Sequence, residues 1–394
     1  MQPNPFGSDV PPRKAESVTS DWSTEVYNLF HERFTFKEND HFIMLHTTTE
    51  SLYLYNPSHI LPAVFAAVVG LSLLLHVYQN YRYRFWRVTF FLCWGGALFT
   101  IGWILRCISS YHPTNVDIYI ASQVFIYVGP PVYSASAYNL VGRLMNYLPM
   151  HAVLNPNRVL IFFVYVGAAV EAITVAGAAK NASAGSDLEK YKSGGTLVAA
   201  GLILQAVVEC VVVGIVATVH RRCSRAGMLS PNVRRICFTL YGTSTFVLLR
   251  CIFRAVESFD MFSKLGCRVD CGPILSNEWY LYAFELGPML IFTWWMNLMH
   301  PGRYLPRQKL RYLCPDGQTE RMGPGWTDRR SRWETFADPL DLKGTIKGTP
   351  SHEKYWLRED QWLVCKDGSF AMGTATNTRS NPPVKEHVPA HQSV

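Results

Sequence analysis

Apolar residues are distributed along this chain in long blocks, with polar stretches at both ends. Residues 1–58 and 301–394 are rich in polar and charged side chains, whereas 59–300 is a succession of apolar runs. Seven of these runs are long enough to cross about 30 Å of hydrocarbon as helices of roughly 20 residues. They lie near 59–78, 88–108, 118–142, 159–179, 195–219, 235–257 and 279–299. None alternates apolar and polar positions as barrel strands do, so helices are the spanning element. The pattern therefore predicts an all-α, polytopic membrane protein: an extracytoplasmic segment 1–58, a seven-helix domain 59–300 and a flexible cytosolic tail 301–394. Residues 1–20 have no apolar core of the kind a secretory signal requires, so the first span is expected to act as its own targeting signal.

Orientation follows from the basic residues. With the N-terminus outside, the inner segments 79–88, 143–158, 220–235 and 300–311 carry fourteen Lys and Arg, and the outer loops carry five. This asymmetry predicts N-terminus out and C-terminus in. The sequon Asn181-Ala182-Ser183 falls in a predicted outer loop, which marks Asn181 as a glycosylation candidate. Cys267 and Cys271 also fall in an outer loop and are either a local disulfide or two free thiols. The net charge of +8 arises mostly from residues flanking spans and forms no single stripe, so no nucleic-acid partner is expected. In the tail, fifteen basic and eleven acidic residues are mixed with Gly, Pro, Ser and Thr, and Trp326, Trp333, Trp356 and Trp362 are placed to meet the membrane surface.

The spans become informative where they carry charge, because an ionisable group in hydrocarbon costs at least ~2.5–3.5 kcal/mol and normally faces a cavity or a partner. Arg250, Arg254 and Glu257 share one helical face in the sixth span. Arg250 is expected roughly 10 Å below the outer surface and Glu285, on the antiparallel seventh span, about 9 Å below it, so the two can pair. Arg106, Arg254 and Glu257 lie near helix ends, from which long side chains can snorkel to the interface. Together Arg106, Arg250, Arg254, Glu257 and Glu285 form a candidate intramembrane charge network. Glu171 lies deeper in the fourth span, and Gln205 and Glu209 stand one turn apart in the fifth, as interhelical hydrogen-bonding groups or functional ones. Gly129-Pro130-Pro131 and Gly287-Pro288 interrupt the third and seventh spans and free backbone carbonyls there.

Catalytic chemistry is not indicated. His76, His220 and His300 all fall at inner ends of spans, but no zinc-binding His spacing, phosphate loop, nucleophile elbow or dinucleotide fingerprint is present. No metal, cofactor or catalytic residue is expected.

Over residues 53–303 the chain resembles the fungal RTA-like, or lipid-translocating exporter, family of seven-span proteins. The resemblance begins at Tyr53-x-Tyr55-Asn56-Pro57-Ser58 and Leu75-His76, and continues through Gly102-Trp103-Ile104-Leu105-Arg106. It includes Pro131, Tyr138, Arg143 and Gly201-Leu202-Ile203-Leu204-Gln205. It is strongest at Arg250-Cys251-Ile252-Phe253-Arg254-Ala255-Val256-Glu257, then at Glu278-Trp279, Tyr282, Glu285, Pro288-Met289 and His300-Pro301-Gly302. The chain departs where the family's acidic residue before the second-span glycine falls on Phe99, and where polar fourth-span residues fall on Gly167 and Thr174. Glu171 is an addition. The resemblance implies a membrane protein concerned with lipid asymmetry, export of sphingoid bases or resistance to toxic amphiphiles. Its partners would be membrane lipids and amphiphilic small molecules, and the plasma membrane is its expected location, with an endomembrane as the alternative.

Two functions fit these residues: a translocator of amphiphiles, or a seven-span sensor of lipid or stress that transports nothing. For the translocator, Glu171, Gln205, Glu209 and Glu285 span roughly 9 to 21 Å below the outer surface and would line the path of a polar head group.

Overall fold

The computed structural model describes residue 53 and residues 55–182, 188–263 and 273–326, together with 330, 331, 333, 334, 338, 342–347, 354–358 and 361–365. Helices α1 (Ile60–Tyr83), α2 (Trp86–Tyr111), α3 (Val116–Tyr147), α4 (Pro156–Ala182), α5 (Leu188–Arg225) and α6 (Pro231–Ser263) follow one another through short connections. The seventh helical element begins with a π-helical segment, Leu281–Leu286, and continues as α7, Gly287–Leu298. A helix thus lies over each of the seven apolar runs.

Local chemistry sets the boundaries. Arg84 takes up a left-handed conformation that ends α1, and Asn115 caps α3 by accepting from the Ile118 amide, with Asp117 in the first turn facing the positive end of the helix. The π turn precedes Gly287-Pro288. Pro288 has no N–H and its ring crowds the carbonyl four residues earlier, so the Gly287 amide bonds to the Tyr282 carbonyl instead, five residues back.

Five helices are long and apolar enough to cross a membrane by length and composition: those at Ile60–Tyr83, Trp86–Tyr111, Pro156–Thr174, Lys192–Arg225 and Pro231–Asp260. The other two differ for physical reasons. α3 packs against α2, α4 and α6, and is buried almost throughout its second half. It therefore tolerates Ser122, Ser134 and Ser136, whose hydroxyls donate to carbonyls of their own helix. The seventh element is divided by its π turn. Glycines bring α2 and α3 together: a Cβ on Gly102 would lie 2.8 Å from the Ile126 amide nitrogen, and one on Gly129 2.9 Å from the Phe99 ring. Phe99 is thus a fully buried core residue stacked edge-on against Trp103 and Tyr133.

The region after α7 differs from the expectation of an all-α chain with a loose tail. Strands β1 (Arg311–Leu313), β2 (Glu320–Met322) and β3 (Leu363–Val364) form an antiparallel sheet in that order. Tyr312, Cys314, Trp326, Tyr355 and Trp356 make a separate small core with Met150 and Ala152 against it. Trp326 and Trp356, expected at the membrane surface, instead pack on each other with ring centroids 5.6 Å apart, while Trp333 is exposed. The module is tied to the helices by Arg143, which donates to the Pro306 carbonyl (2.7 Å), and by Tyr147, whose hydroxyl donates to Glu320 (2.7 Å).

Candidate functional site: a buried charge network

Three clusters of polar groups inside the helical domain hold the charged candidates. The first closes one end of the bundle. Arg106, on α2, is 1% exposed, and its Nη2 donates to the Tyr55 hydroxyl at 2.5 Å. Its guanidinium lies 4.4 Å above the centre of the Tyr53 ring and 3.6 Å from the Glu278 carboxylate. Glu278 also accepts from the Ser58 amide (2.8 Å) and the Tyr282 hydroxyl (3.0 Å). Burial pushes the Tyr55 phenol above its ordinary pKa against the opposing pull of Arg106, so it stays a neutral acceptor. The expectation that Arg106 snorkels to water is corrected here: Tyr53, residues 55–58 and Glu278 fold over the helix end and replace the solvent.

The second cluster is formed by α6 and the π segment. Arg250 Nε donates to Glu285 Oε1 at 2.8 Å, with both side chains almost wholly buried. Arg254 forms an ion pair with Glu257 on its own helix, stands 3.9 Å from Glu285 Oε2 and covers the Tyr127 ring at 4.2 Å. Arg254 and Glu257, also expected to snorkel, are half-buried and held by these partners. Glu285 Oε2 has no hydrogen-bond partner among the described residues.

The third cluster lies on α4 and α5. Glu209 is 1% exposed and accepts from Tyr138 of α3 at 2.5 Å; Ser134 and Ser244 are its other hydroxyl partners. Gln205, one turn away, and Glu171 are half-buried. Glu171 lies within electrostatic reach of Arg250, Arg254 and Glu285. Glu171 therefore joins the second cluster, in which Arg250 and Arg254 stand among three carboxylates, Glu171, Glu257 and Glu285. Glu285 and Glu257 have arginine partners, whereas Glu209 is held by neutral hydroxyls.

Of the remaining candidates, Asn181 is in the last turn of α4, and Cys267 and Cys271 lie outside the described residues. His76 donates from Nδ1 to Asn297 Oδ1 (2.8 Å) and stands 5.0 Å from the His300 ring, while His220 meets Tyr241 elsewhere in the bundle. Glu278, Tyr55 and Tyr138 are the functional-site residues that sequence reasoning missed as partners. Glu278, Tyr282 and Glu285 repeat at i, i+4 and i+7, the periodicity that singled out the α6 charges, and that signal was available for Glu278.

The family described as RTA1 like protein matches residues 92–308, which include most of these clusters. The chain is 35% identical over 295 residues to a "Lipid-translocating exporter-like protein RTA1" of Leptosphaeria maculans, covering 71% of this chain and 56% of the relative. It is 30% identical over 265 residues to a protein of the same name from Ajellomyces capsulatus, covering 63% of this chain and 80% of the relative. A "Probable lipid transporter atnI" of Emericella nidulans is 22% identical over 272 residues, covering 65% of this chain and 68% of that protein. No solved structure matches the chain.

Proposed function

This chain belongs to the RTA1-like family of multi-pass membrane proteins, and from that premise we propose that it translocates lipid-like amphiphiles with a cationic head, such as sphingoid bases, between membrane leaflets. In this reading all seven helical elements cross the membrane, with the N-terminus outside and the C-terminus in the cytosol, and the plasma membrane is the site of action. The names of the relatives support lipid transport in general. The cationic head is inferred from Glu209.

That inference rests on one observation. Glu209 is a buried carboxylate held by hydroxyls, in contrast to Glu285 and Glu257, which pair with arginines. An ammonium entering beside it would supply the missing opposite charge, which is favourable in a medium of low dielectric. Half-buried Glu171 and Gln205 offer intermediate positions on the way in, so the head exchanges one acceptor for the next while its tail remains in lipid. Glu285 lies on the π turn, where the backbone hydrogen bonds are already irregular, and it gives this path an element able to shift.

The test is reconstitution of the full chain in liposomes with fluorescent sphingoid base, phospholipid or sterol, with leaflet position read by an impermeant quencher. The expected result is movement of the amine-headed lipid well above protein-free liposomes. Folded protein that moves none of the three would instead favour a sensor that reads lipid without transporting it.

A further inference from the structure

The helices around Glu209 bring it hydroxyls and no cation. The apolar runs within α3, α4 and α5 (118–142, 159–179 and 195–219) contain no Lys, Arg or His. On α6, Arg250 and Arg254 are taken by Glu285 and Glu257. What reaches Glu209 is Tyr138 of α3 at 2.5 Å, Ser134 one turn earlier on the same helix, and Ser244 of α6. None of the three is more than 4% exposed. Tyr138 donates its hydroxyl hydrogen to the carboxyl group, whereas the Ser134 hydroxyl donates to the Pro130 carbonyl (3.3 Å). A hydroxyl has one hydrogen to give, so towards Glu209 the Ser134 oxygen is an acceptor. The hydrogen it accepts is the proton of the carboxylic acid.

We propose that the empty protein holds Glu209 as the neutral acid and that a cationic amphiphile binds there in exchange for its proton, which makes the protein a proton antiporter. A carboxyl group buried without an opposite charge neutralises and does not stay ionised alone. The exchange balances. The O–H bond breaks, its electron pair stays on the carboxylate, the proton leaves to water, and the cationic head takes its place. Tyr138 donates to the same carboxyl oxygen in both states. When the head departs into the other leaflet, Glu209 recovers a proton from the water on that side. One proton therefore moves opposite to each head, no net charge crosses, and a proton gradient supplies the driving force. This inference rests on the reading of Glu209 as the head-group site and adds the ion coupled to it.

The test is isothermal titration calorimetry of the purified full chain in neutral detergent with dodecyltrimethylammonium, whose head has no proton of its own. Titrations in two buffers of different ionisation enthalpy count the protons released per cation bound. At about pH 5.5 wild type is expected to release about one proton per cation, and its affinity to fall about tenfold per pH unit below the titration of Glu209. Tyr138 and Cys251 are the titratable groups beside Glu209 on α3 and α6, and both ordinarily ionise above about pH 8. Glu171 of α4 faces Arg250 and Arg254, and a proton from it would still be released by Glu209→Gln. That variant should release none and lose the pH dependence. Binding by wild type without proton release, or release that persists in Glu209→Gln, would overturn the exchange and leave the cationic cargo standing. Folded wild type that binds no cation would overturn the cationic cargo itself, and the exchange with it.

Discussion

Arg250 and Glu285 meet at 2.8 Å in the interior of the bundle, one from α6 and the other from the π turn that precedes α7. Without Glu285 the Arg250 charge is stranded in a medium that cannot solvate it, and without Arg250 the Glu285 carboxylate keeps only the longer contact with Arg254. Arg250→Ala or Glu285→Ala should therefore lose ~3–5 kcal/mol of stability. The exchange Arg250→Glu with Glu285→Arg should recover part of that loss, although Arg254 beside Glu285 prevents full recovery. Thermal unfolding followed by size-exclusion chromatography reads both; single variants as stable as wild type would show that the pair does not hold the helices together.

The cap over Arg106 gives a second, smaller effect. Tyr55→Phe removes one hydroxyl acceptor from a buried guanidinium and should destabilise by about 1.5–3 kcal/mol. Glu278→Gln should cost more, since Glu278 also holds the Ser58 amide and the Tyr282 hydroxyl. The two losses are expected to be non-additive, because both residues act on the same arginine. A melting-temperature series on the single and double variants checks this.

For the module after α7, Trp356→Ala removes a large side chain from the small core of Tyr312, Trp326 and Tyr355. A change of this kind costs about 3–5 kcal/mol in a packed core, enough to unfold so small a unit. Limited proteolysis should then cleave between residues 311 and 365 while α1–α7 stay intact. A tail as resistant as wild type would mean that the membrane helices alone hold it.

Orientation is tested by glycosylation mapping. The expected outcome is modification at Asn181 and none at a sequon introduced within 220–235. The opposite pattern reverses the orientation.

Much of this architecture was legible in the sequence, because apolar run length and helical periodicity are properties of contiguous residues. Helix rise put Arg250 and Glu285 at similar distances from the ends of antiparallel neighbours and so allowed the pair, but not the rotation of the two helices that brings the side chains together. Arg106 was misread because distance from a helix end was equated with distance from water, whereas Tyr53, Tyr55 and Glu278 close over that end. The π turn was not legible: Gly287-Pro288 signals an interruption but not which carbonyl takes the displaced hydrogen bond. The β-sheet after α7 was hidden by short strands in a charged, glycine-rich stretch. Its aromatic core comes together only when residues 312 and 355 meet in space.

The central claim is that Glu209 receives the cationic head during translocation. The most direct measurement compares wild type with Glu209→Gln in the liposome assay, using a fluorescent sphingoid base. Glutamine keeps the size of the side chain and can still accept from Tyr138, so the variant should fold and reconstitute as wild type. The expected result is loss of amine-lipid movement, with unchanged melting temperature. Wild-type movement of the amine lipid by folded Glu209→Gln protein would contradict the claim and remove Glu209 from the path.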